Sequence, residues 1–62
     1  MSGLSELAAR VRLAHEAALA RGRPPHIAFE IAAETCRRSN PGLTRLGAER
    51  LALTLLRQAG HA

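Results

Sequence analysis

Sixty-two residues make one domain at most, of a size at which a chain buries only about 60% of the surface it exposes when unfolded. The basic residues are nine Arg and the acids five Glu, for a net charge of +4, with one cysteine and no Asp, Lys, Tyr or Trp. This composition excludes an intrachain disulfide framework and the paired ligands of a zinc ribbon or finger. With no glycine-rich phosphate loop and too few residues to wall a pocket, it also argues against an enzyme and against a bound cofactor.

In chain order, Ser2 caps a first helix running from about Leu4 to Arg21, with Glu6 in its first turn and Gly22 as a left-handed stop. Leu4, Leu7, Val11, Ala14 and Ala18 recur at steps of three and four, and Ala8, His15 and Leu19 widen that face. Glu6 with Arg10, and Arg12 with Glu16, are spaced for ion pairs on solvated faces. Leu13 points away from the core, and single exposed leucines are ordinary. The first twenty residues lack a continuous apolar run and no stretch approaches eighteen apolar residues. The expectation is therefore a cytoplasmic protein with neither signal peptide nor membrane span.

Gly22, Arg23, Pro24 and Pro25 break the chain, and Pro25 suits the first position of a second helix, where its missing N–H costs nothing. So short a connection predicts an antiparallel neighbour. In this second helix, about Pro25 to Arg38, Ala28, Phe29, Ala32, Ala33 and Cys36 cover one side and Ile27, Ile31 and Thr35 an adjoining one. Only a narrow polar strip of His26, Glu30, Glu34 and Arg37 is left, which predicts a helix buried around most of its circumference. The segment from Ser39 to Gly42 reads as a turn in which Pro41 fixes φ and Gly42 takes a positive φ.

Leu43 and Thr44 are placed as staple and N-cap of a third helix, over about 44–59, with Asn40 and Pro41 as an alternative start; it stops near Gly60 and leaves His61 and Ala62 frayed. Six of the ten leucines fall between Leu43 and Leu56, so this helix is expected to organise the core. At about 100° per residue, Ala48, Leu51, Ala52, Leu55, Leu56 and Ala59 form one apolar face. Leu46 and Leu53 lie outside it. Seven residues apart, they align as a second apolar stripe that something else must cover.

Four features bear on chemistry. His26, Glu30 and Glu34 lie on one stripe with metal-ligand spacing, but no second ligand cluster accompanies them, so they read as a solvated edge and no metal is expected. His15 reads as a packed or interface histidine. Cys36 reads as a small core residue near the C-terminal end of its helix, the wrong end for a dipole-stabilised thiolate. The positive charge invites an anionic partner, yet Arg21, Arg23, Arg37, Arg38 and Arg57 sit at or near helix C-termini, where cations suit the helix dipole.

The expectation is an all-α three-helix unit with short Gly/Pro turns that self-associates or docks on a larger protein. It would serve as a regulator, adaptor or small subunit through surplus apolar surface at Leu46, Leu53, Ile27 and Ile31. The alternative is a nucleic-acid-binding protein. Its second and third helices would form a helix-turn-helix outline with Arg45, Arg50 and Arg57 on the recognition helix. Leu46 and Leu53 stand where that reading wants base-contacting polar residues, and the absence of Tyr and Trp removes a stacking platform for single strands.

Overall fold

A computed structural model describes residues 3–59 of the chain. They form three helices, α1 Gly3–Ala20, α2 Pro25–Ser39 and α3 Arg45–Ala59, and no strand is present among the described residues. The expected Ser2 cap, the stop at Gly60 and the fraying of His61 and Ala62 lie outside the described residues, as does the Ala59 side chain.

Each junction is set by local chemistry. At the end of α1, Gly22 takes φ 84°. Its N–H donates to the Leu19 carbonyl at 3.0 Å, and the Arg23 N–H reaches back to the Ala18 carbonyl at 3.0 Å, the pair of bonds that closes a Schellman motif. Pro24 follows in extended conformation at the N-cap of α2, with Pro25 just inside the helix. The Pro24 carbonyl accepts the N–H groups of Ile27 and Ala28, both at 3.0 Å, so α2 starts without a side-chain cap.

At the other end of α2, the Asn40 N–H donates to the Cys36 carbonyl at 3.0 Å, and the Leu43 N–H closes the turn onto the Asn40 carbonyl at 2.9 Å. Gly42 is not left-handed as expected; among the described residues a positive φ occurs only at Gly22. A turn with Pro at its second position closes equally well with its third residue at negative φ, so glycine is not required there by backbone sterics. Thr44 caps α3 as expected. Its Oγ1 accepts the Gly47 N–H at 3.0 Å, while its carbonyl accepts the first helical bond from Ala48 at 2.9 Å. A Cβ at position 47 would lie 3.2 Å from that hydroxyl, so glycine there leaves room for the cap.

The central element is α2, which packs on both α1 and α3, whereas α1 and α3 touch each other less. This corrects the expectation that the leucine-rich third helix organises the core. Small side chains let helices approach closely, and α2 supplies Ala28, Ala32, Ala33 and Cys36 to the buried side. Leu7, Val11 and Ala18 from α1 and Ala48, Ala52 and Leu55 from α3 complete the core, with Phe29, Leu43, Leu51 and Leu56 half-buried around it. Leu4 and Leu19, in the first and last turns of α1, are exposed, as is Leu13.

The assembly is flat, 30 × 27 × 15 Å, and the outer side of α2 stays open. Ile31 is exposed and Ile27 only half-buried, so α2 is not buried around most of its circumference. Among the described residues two i,i+4 ion pairs form at the surface, Arg38 to Glu34 at 3.7 Å and Arg45 to the half-buried Glu49 at 3.5 Å. The expected pairs Glu6–Arg10 and Arg12–Glu16 do not close to within 4.0 Å; exposed pairs gain too little to hold two long side chains in one geometry. Among the described residues no helix is long and apolar enough to cross a membrane.

Candidate interaction surface

The inward direction of α3 is fixed by buried Ala48, Ala52 and Leu55. Counting about 100° per residue, Leu46, Arg50, Leu53 and Arg57 fall within about 60° of one another on the opposite side. All four are exposed, Leu46 at 59% and Leu53 at 49%. They form a ridge in which leucine and arginine alternate and no acid intervenes. Glu49 stands on its shoulder, three residues after Leu46 and four before Leu53, which places it beside both.

Beside this ridge lies an open groove of ≈ 400 Å³ between α2 and α3. Its α2 wall carries Ile27 and Ile31 together with Glu30, Glu34 and Arg37, and its α3 wall carries Arg45 and Glu49. The four residues expected at an interface are thus divided: Ile27 and Ile31 line the groove, while Leu46 and Leu53 stand on the ridge that borders it. The two features share Glu49, which lines the groove and flanks both ridge leucines. Sequence reasoning missed the part played by Glu30, Glu34 and Glu49 as groove walls. The available signal was that the two carboxylates of α2 stand one turn apart beside the isoleucine pair.

Of the arginines considered for nucleic acid, Arg50 and Arg57 lie in one helical row, two turns apart on the ridge. Arg45 lies about 140° round the helix from Arg50, where it engages Glu49 across 3.5 Å. The three do not form one cationic row. His26, Glu30 and Glu34 are all exposed, and Glu34 is taken up by Arg38. Among the described residues, no group of three His, Cys, Asp or Glu side chains is arranged to hold a metal ion.

Cys36 is fully buried, and burial pushes its thiol above the ordinary value of 9.0. A neutral, enclosed thiol is a packing group and a poor nucleophile. His15 is half-buried on α1. A second, smaller hollow of ≈ 290 Å³ lies between the start of α1, with Leu4, Glu6 and Arg10, and the end of α2 at Ser39 and Asn40.

Comparison with protein-family models, with curated proteins and with solved structures finds no match to this sequence.

Proposed function

We propose that the chain is a small protein–protein interaction module, a regulator, adaptor or small subunit, that acts by docking the outer faces of α2 and α3 on another protein surface. The observation that carries this reading is the exposure of Leu46 and Leu53 in one row of a capped helix, beside a groove bearing Ile27 and Ile31. A single exposed leucine needs no explanation, but a row beside a groove that holds two isoleucines is the pattern of a contact site. Fully burying a leucine is worth about 1.5 to 3 kcal/mol, and the core already closes on Leu55 without either ridge leucine. The compartment proposed is the cytoplasm, since the lone Cys36 has no second cysteine in the sequence to pair with.

Nucleic acid fits this surface less well. Phosphates would meet Arg50 and Arg57, but Leu53 between them and Leu46 before them gain nothing from an anionic backbone, and Arg45 is already paired. Binding to DNA or RNA is expected to be weak, salt-sensitive and without sequence preference.

The test is size-exclusion chromatography with light scattering on purified protein, run with and without salt and nuclease. A mass above that of the monomer, or a stoichiometric protein partner, that survives nuclease supports the reading. A protein monomeric at high micromolar concentration with nothing copurifying contradicts it.

A further inference from the structure

We infer that the surface of α2 and α3 docks on a second copy of this chain, in a reciprocal pair where the α3 ridge of each copy seats in the α2–α3 groove of the other. This rests on the interaction-module reading and adds the identity of the partner. Ridge and groove are complementary in two respects. The ridge offers leucines at 46 and 53 and the groove isoleucines at 27 and 31, so apolar surface meets apolar surface. The ridge carries Arg50 and Arg57 with no acid in its row. The groove carries three carboxylates, Glu30, Glu34 and Glu49, against two guanidiniums, Arg37 and Arg45, for a net charge of 2 − 3 = −1. Glu34 and Glu49 are engaged by neighbours within their own helices, whereas Glu30 has no partner within 4.0 Å among the described residues and is free to meet an arginine.

The simpler self-pairing, ridge against ridge, is disfavoured by charge. With Leu46 and Leu53 as the seam, Arg50 and Arg57 flank it on one side, and on the other lie Glu49 and Arg45, whose charges already engage each other across 3.5 Å. A parallel pair would bring Arg50 towards the symmetry-related Arg45, and an antiparallel pair would bring it towards the symmetry-related Arg57. Like charges meet in both. Moving the ridge sideways into the neighbouring groove replaces those repulsions with arginine–glutamate contacts. Because ridge and groove adjoin along α3, a twofold axis beside that helix lets both copies make the same contact at once, giving a closed pair. A standard interface takes about 800 Å² from each partner, under a fifth of the chain's 4532 Å² of accessible surface.

The experiment uses the full chain and two charge-reversed variants, Arg50→Glu with Arg57→Glu on the ridge, and Glu30→Arg with Glu34→Arg in the groove. All four positions are exposed, so both variants should keep their helices, which circular dichroism checks. Sedimentation equilibrium should show a wild-type dimer that weakens as salt is added. Each variant alone should associate about tenfold or more weakly, because its ridge then faces a groove of like charge. An equimolar mixture should recover a one-to-one heterodimer, since each reversed surface finds its complement on the other variant.

A dimer that persists undiminished in both variants, or a mixture that fails to re-associate, overturns the inference. If a variant loses its helices, the wild-type salt dependence decides instead, and a dimer unmoved by salt overturns the inference. A wild type that is monomeric alone but binds a different protein stoichiometrically overturns the second-copy assignment and leaves the interaction-module reading standing. A monomer that binds nothing, or a raised mass that collapses with nuclease, overturns both.

Discussion

Leu53 and Leu55 are two residues apart on α3, yet Leu55 is 1% exposed and Leu53 49%. Two residues turn a helix by about 200°, so the pair faces opposite ways: Leu55 into the layer where α2 presents its alanines, Leu53 into solvent. The inward side reaches its partners by being small at Ala48 and Ala52, and the outward side leaves Leu46 and Leu53 exposed. One helix is thus apolar in two directions, and the fold accounts for only one of them. The other is where a functional argument has to begin.

The sharpest way to break this comparison is to place the same charge on each side. Leu55→Glu buries a carboxylate with no partner, at a cost of several kcal/mol, and circular dichroism should show the helices lost. Leu53→Glu should keep the helical signal and lose association. Thr44→Ala removes the N-cap bond to Gly47 and should cost about 1 kcal/mol, measured by urea denaturation, with fraying confined to the start of α3. His26→Ala, on the exposed polar edge of α2, should stay within about 0.5 kcal/mol of wild type, and a chelator should leave both fold and assembly intact.

Cys36 sharpens the inward side through pH. Its buried thiol ionises later than the same thiol in the unfolded chain, so above the ordinary value of 9.0 the unfolded state binds fewer protons than the native one. Stability is therefore complete below about pH 9 and falls as pH rises beyond it. The sequence has no Lys and no Tyr, which leaves Cys36 as the side chain that titrates in this window. Cys36→Ala should remove the alkaline slope while lowering stability at neutral pH through the cavity it leaves; denaturant melts across pH measure both.

The parts of this architecture that were legible in the sequence are those set by short-range chemistry. Gly22 and Thr44 act through bonds that span a few residues, and Pro25 through a fixed φ and a missing N–H, so the helix limits followed from residue type and position. The inward side of α3 was legible because period and burial coincide there. Gly42 misled because its residue type permits a positive φ that the turn does not require. The openness of α2 was legible only as surplus apolar surface at Ile27 and Ile31, against the reading of a helix buried around most of its circumference: whether they are covered within the chain depends on how α1 and α3 lie across α2, and a flat arrangement leaves that side bare. The groove escaped for the same reason, since Glu30 and Glu34 come from α2 and Glu49 from α3, and only the packing of the two helices makes one surface of them.

The most direct test of the account is the molar mass of wild type and of Leu53→Glu by light scattering over a concentration series, with helicity recorded on the same samples. The expected result is a wild-type mass that rises towards twice that of the chain while Leu53→Glu stays at the monomer mass with its helices intact. A wild type that stays at the monomer mass with no partner bound, or a Leu53→Glu chain that unfolds as completely as Leu55→Glu, would contradict it.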